Sequence, residues 1–147
     1  LTLFGLGEGL LIVSASGASP WSVLAQGISS KSGFSVGLIT FIISISVLIF
    51  WIPLNQKPGI GTILNALIVA VMIDISIALI STPENYISQL LLAFIAVLTV
   101  GLGGGIYLVA NLGAGPRDGL MVGLQKITKF PIFFIRTFIV NIHHFSN

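Results

Sequence analysis

Apolar residues run along this chain in long stretches, separated by short segments where Gly, Pro, Ser and Asn gather. A helix rises about 1.5 Å per residue, so crossing a hydrocarbon core of about 30 Å takes about 20 mostly apolar residues. By that measure the pattern predicts about five spans. The first covers residues 1 to about 16. The second runs from about 35 to 51, with Ser35 as N-cap and Trp51 as interfacial anchor, and Pro53 with the polar run to Gly59 ends it. The third runs from about 60 to 80. Ser81-Thr82-Pro83-Glu84 then reads as a helix start, with Thr82 as cap, Pro83 at the first helical position and Glu84 in the first turn. A fourth span, about 85 to 111, is longer than a membrane requires and is expected to tilt or to bend at Gly101, Gly103, Gly104 and Gly105. The fifth starts at Pro131 and stops at about 142, before His143 and His144.

The apolar pattern contains a repeat. Residues 5–27 recur 96 positions later as residues 101–123, with ten identities among the 23 positions, mostly Gly and Pro. Chance would supply roughly two, and such self-similarity marks a duplicated structural unit whose shared property is backbone geometry. Three crossings separate the copies, so the second enters the membrane from the opposite side. The expected fold is therefore all-α: a polytopic transmembrane helix bundle made of an inverted three-plus-three repeat, with residues 1–82 as the first three-span unit and 83–147 as a truncated second. The counterpart of Pro58 falls beyond Asn147 and the chain starts with Leu. Both features are expected of a fragment lacking its C-terminal part.

Composition agrees with the pattern. The chain of 147 residues is 55% hydrophobic and 7% charged, with a mean hydropathy of +1.10, against roughly 25% charged residues in a soluble domain. The net charge of +2 and the scattered Lys and Arg residues give no footprint for nucleic acid. No cysteine is present to form a disulfide, a thiolate metal site or a nucleophile. Residues 1–16 lack the basic start of a signal peptide. Lys57, Arg117, Lys126 and Lys129 fall in even-numbered loops and only Lys31 in an odd one. The positive-inside rule then places the N-terminus in the cytoplasm.

Few residues can carry chemistry. Gly5-Leu6-Gly7-Glu8-Gly9 and its repeat do not complete a dinucleotide fingerprint. HExxH, GxSxG and P-loop motifs do not occur, so the expectation is of no enzyme and no cofactor. His143 and His144 are adjacent and would diverge on a helix, which argues against a metal site. Glu8 and Asp74 are acidic residues inside apolar spans, where an unpaired charge costs at least about 2.5–3.5 kcal/mol. At similar depth they could share one pocket, either as a proton- or cation-coupled site or as paired carboxylates that hold helices together. Arg136 either snorkels to the cytoplasmic face or pairs within the bundle, and Arg117 and Asp118 could pair with each other, a helix end or a lipid headgroup. The four-residue glycine spacings, including Gly115, Gly119 and Gly123, fit close helix packing or interrupted helices.

The two Gly-Ala-Xaa-Pro segments, Gly17 to Pro20 and Gly113 to Pro116, each lead into an apolar helical pattern too short to span. Each is a re-entrant helix whose amides could meet an anion, or an interfacial connector. Together with the run Pro58-Gly59-Ile60-Gly61-Thr62-Ile63-Leu64-Asn65-Ala66 and the run Gly113 to Met121, they make the chain resemble the YczE/YyaS/YitT family of bacterial membrane proteins. The resemblance implies a multi-pass protein of the bacterial cytoplasmic membrane and supplies no catalytic residues. The chain departs from the family in lacking a second GxGT-like segment and in having Trp21-Ser22 where the second copy has Arg117-Asp118. The architecture favours transport of a small solute or ion. The alternative is a non-transporting partner that stabilises or regulates another membrane protein or self-associates, its glycine faces serving as contact surfaces.

Overall fold

A computed structural model describes residues 1–55, 57–111 and 113–129. The fifth span expected at 131–142, with Arg136, His143 and His144, lies outside them. The described residues form six α-helices and no strand: α1 (Thr2–Val13), α2 (Pro20–Ser32), α3 (Val36–Trp51), α4 (Ile60–Leu79), α5 (Tyr86–Val109) and α6 (Pro116–Thr128). By length and composition α4 and α5, with 20 and 24 residues, can each cross a membrane. They extend about 30 and 36 Å. α2 and α3 meet that criterion only as a pair, bent by 118°, and α1 is a shorter apolar helix. Two to three spans are therefore evident where the hydropathy pattern predicted four.

Local chemistry explains the helix ends. Ser19 caps α2 by accepting a hydrogen bond from the Ser22 N–H, and Pro20 takes the first helical position, where a missing N–H costs nothing. α2 closes on Gly33 in the left-handed conformation at φ 75°, and Ser35 caps α3. α5 starts later than the Thr82-Pro83-Glu84 pattern implies. Asn85 is its cap, accepting from the Ile87 N–H, while the Gln89 side chain donates to the Pro83 carbonyl and holds the preceding segment outside the helix. The helix is also not interrupted at Gly101–Gly105, where a tilt or bend was expected. α5 is one helix through that stretch, because glycine without proline leaves the backbone hydrogen-bond ladder intact.

α1 is wedged between α4 and α5, and its glycines make the wedge thin. At about 100° per residue, Gly5 and Gly9 share one face while Gly7 lies on nearly the opposite one. Gly5 meets Val69 and Met72, and Gly9 meets Ile73 and Ser76. Both contacts advance along the two chains together, so α1 and α4 are parallel. Gly7 abuts Ala96 and Val100, whereas Gly103 abuts Leu3 and Phe4, so α1 and α5 are antiparallel. A Cβ at Gly7 would fall 2.7 Å from both the backbone nitrogen and a methyl of Val100. Gly7→Ala is expected to lower stability by about 1–3 kcal/mol, the usual cost of overpacking. Unchanged thermal unfolding of the variant in detergent would remove this account of the wedge.

Trp51 overturns a second expectation. It is 3% exposed, not an interfacial anchor, and its indole N–H donates to the Pro116 carbonyl at 3.0 Å. A side chain at Gly119 would overlap its ring, so Gly119 is consumed within the chain and offers no surface to a partner. Nearby, the buried Thr62 hydroxyl donates to the Ala114 carbonyl at 2.7 Å and accepts from the Gly59 N–H at 3.2 Å. This bond joins the Pro58–Thr62 motif to the second Gly-Ala-Xaa-Pro segment, two stretches that the sequence presents as separate signals.

Backbone geometry repeats at the 96-residue offset. α1 and α5 end at Val13 and Val109. Ala15 and Asn111 have φ of 53° and 50°, and Gly17 and Gly113 have 156° and 118°. α2 and α6 each have 13 residues, open on Pro20 and Pro116, and close on left-handed caps at Gly33 and Lys129.

Candidate functional site

Glu8 lies on α1 between the face of Gly7 and the face of Gly5 and Gly9. It is 6% exposed, and its Oε2 accepts hydrogen bonds from Ser22 Oγ at 2.7 Å and Ser19 Oγ at 3.3 Å. The carboxylate thereby sits at the N-terminus of α2, where the partial positive charge of the unpaired amides favours an anion. The two serine hydroxyls are 2.8 Å apart and brace one another. A buried carboxylate with charge-assisted partners is much less costly than an unpaired one in an apolar bundle.

Glu8 lines a cavity of about 420 Å³. Its apolar wall includes Phe4, Val69, Val100 and Met121, and its polar wall includes Ser19, Thr40, Ser44 and Asn65. The starts of α2 and α6 both reach it, through Pro20 and Trp21 on one side and Gly115 to Asp118 on the other. Arg117 lies over the Trp21 ring, 5.6 Å from its centroid, within the range of a cation–π contact. Glu8 and Asp118 both act on the Arg117 charge. Asp118 is in the first turn of α6, again where a helix favours an anion.

The sequence-derived candidates separate here. Glu8, Arg117, Asp118, Pro20, Gly115 and Pro116 come together at the cavity. Asp74 does not join them, and the shared Glu8–Asp74 pocket is corrected. Asp74 Oδ1 accepts from the Gly37 N–H at 2.7 Å and its Oδ2 from Ser35 Oγ at 2.6 Å. It thus caps α3 from α4, and the missing side chain at Gly37 lets it approach. Asp74→Asn is expected to cost about 0.5–2 kcal/mol, the range for a lost cap, while leaving the cavity intact. Unchanged thermal unfolding of Asp74→Asn in detergent would contradict this capping role. Gly17 and Gly113 shape the turns before α2 and α6, and Gly119 seats Trp51. Among the described residues no three His, Cys, Asp or Glu side chains converge as a metal site would need.

Trp21, Ser19, Thr40, Ser44 and Asn65 were not legible as site residues. Thr40 and Ser44 carried a usable signal: polar positions four apart inside an apolar run share one helix face. Their hydroxyls donate to the carbonyls of Val36 and Thr40, which satisfies them without a partner on another helix.

The apolar helices, two of them long enough to cross a membrane, make this a helical membrane protein, and Glu8, Arg117 and Asp118 line its cavity. Residues 1–142 match the family described as "Family of unknown function (DUF6198)", and the chain belongs to that family. It is 40% identical to an "Uncharacterized protein" of Haemophilus influenzae, over 93% of this chain and 63% of the relative. It is 30% identical to "Uncharacterized membrane protein YczE" of Bacillus subtilis, over 92% of this chain and 64% of the relative. "Uncharacterized protein YyaS" of the same organism is also 30% identical, over 95% of this chain and 71% of the relative. These matches bear out the YczE/YyaS-type resemblance and the membrane location. The chain spans a little under two thirds of the length of the first two relatives. No solved structure matches it.

Proposed function

We propose that the protein is a small-solute transporter of the bacterial cytoplasmic membrane, built from inverted halves that begin at residues 1 and 83, with its pathway through the Glu8 cavity. In this reading the chain carries about five spans and the N-terminus is cytoplasmic. The observation that carries it is a set of reciprocal contacts between positions 96 apart. Gly7 meets Val100, and its counterpart Gly103 meets Phe4, the counterpart of Val100. Arg117 stacks on Trp21, its own counterpart. Such mutual contacts are those of a two-fold interface, and a residue that touches its own equivalent lies beside the axis. The antiparallel crossing of α1 and α5 supports an axis in the membrane plane.

A cavity on that axis, reached by helix starts from both copies, has the arrangement in which transporters place their sites between repeats. The two Gly-Ala-Xaa-Pro segments then serve as re-entrant helix starts, and Glu8 binds the coupling proton or cation. The solute is the principal partner, with lipid around α4 and α5. The test is solute flux into liposomes containing the full-length protein, followed as radiolabel uptake from a mixed library under an imposed pH gradient. Uptake that depends on the gradient and is reduced by Glu8→Gln is expected. No uptake of any solute by correctly folded protein would sink the reading.

A further inference from the structure

The cavity sits on a repeated scaffold but is not itself symmetric, and the asymmetry is electrical. Glu8 stands where the second copy has Gly104, and Arg117 stands where the first copy has Trp21. One departure from the repeat adds a buried anion, and the other adds a cation to the same cavity wall. The charges feel each other through space without an ion pair. Both serine bonds to Glu8 fall on Oε2, and Arg117 lies over the face of Trp21 with Asp118 on the same cavity wall.

Resting on the transport reading, we infer that the cavity binds a small zwitterion with an apolar body, of the class of an α-amino acid with a branched or aromatic side chain. With Glu8 ionised, the ligand's ammonium group faces that carboxylate, its own carboxylate faces Arg117, and its side chain lies against Phe4, Val69, Val100 and Met121. A zwitterion keeps the charge balance of the site unchanged. With Glu8, Arg117 and Asp118 all on the lining, a simple anion offers nothing to Glu8 and a simple cation nothing to Arg117, whereas a zwitterion gives each of the two a partner. The volume is ample, since about 150 Å³ accommodates a benzene ring and this cavity measures about 420 Å³.

The test compares ligands on the wild-type protein, so it does not depend on a variant folding. Full-length protein in detergent is titrated with L-leucine and L-phenylalanine. The same titration uses the deaminated acids 4-methylpentanoate and 3-phenylpropanoate, and the decarboxylated amines 3-methylbutylamine and 2-phenylethylamine. At least one amino acid is expected to bind about tenfold or more tightly than both of its analogues, as loss of one charge-assisted contact predicts. Glu8→Gln should erase the preference over the acid, and Arg117→Gln the preference over the amine. An acid or amine that binds as tightly as its zwitterion overturns the inference, as does the absence of binding by both amino acids. If the liposomes still take up another solute, the transport reading survives that result. If nothing is taken up, both fall.

Discussion

Trp51→Ala is expected to destabilise the protein by about 3–5 kcal/mol, the range for truncating a buried Trp, and to loosen α6 from α3. Trp51 is buried at the end of α3, its ring fills the space that Gly119 leaves, and its N–H satisfies the Pro116 carbonyl at the start of α6. Truncation opens a cavity and removes that bond, leaving the Thr62–Ala114 bond to hold the second Gly-Ala-Xaa-Pro segment. Trp51→Phe keeps most of the packing and loses the hydrogen bond, so a smaller loss of about 0.5–1.5 kcal/mol is expected. The measurement is thermal unfolding in detergent, with cysteine accessibility at positions introduced on α6 as a local readout. Equal melting temperatures for wild type and Trp51→Ala would show that α6 is not held this way.

Glu8→Gln is expected to reduce uptake at least about tenfold while changing stability little. The amide oxygen can still accept from Ser22, so the serine pair keeps a partner, but the side chain no longer carries charge or takes up a proton. Glu8→Ala removes the acceptor as well and leaves the buried Ser22 hydroxyl with Ser19 Oγ as its remaining partner, which costs roughly a further 0.5–1.5 kcal/mol for the lost hydrogen bond. The pair of variants separates a functional carboxylate from one that only ties α1 to α2. If Glu8→Gln takes up solute at the wild-type rate, Glu8 is structural in the sense that Asp74 is.

Much of the fold was legible because membrane helices follow from local composition. The starts of α3 and α4, the extent of α5 and the presence of short helices after both Gly-Ala-Xaa-Pro segments were readable from apolar runs, Ser35 and Pro positions. Span counting was less successful. Hydropathy sees the apolar run of α3, but not the 118° bend that joins it to α2. Asp74 and Glu8 were indistinguishable as buried acids in a one-dimensional reading. What separates them is which helix start each meets: α3, sealed by Gly37 and Ser35, or α2, open to a cavity.

The sequence by itself determined that the protein is helical and apolar, that its backbone pattern recurs after 96 residues, and that Glu8 and Arg117 depart from that recurrence. Those properties depend on residue type and spacing along one chain. Tertiary structure decided which glycines are contacts, that Trp51 is buried beneath Gly119, and that Glu8 and Arg117 face one cavity while Asp74 caps a helix. These depend on distances between residues far apart in sequence, and packing sets such distances. In a bundle with so few charged groups, the packing of α1 between α4 and α5 determines which of them meet.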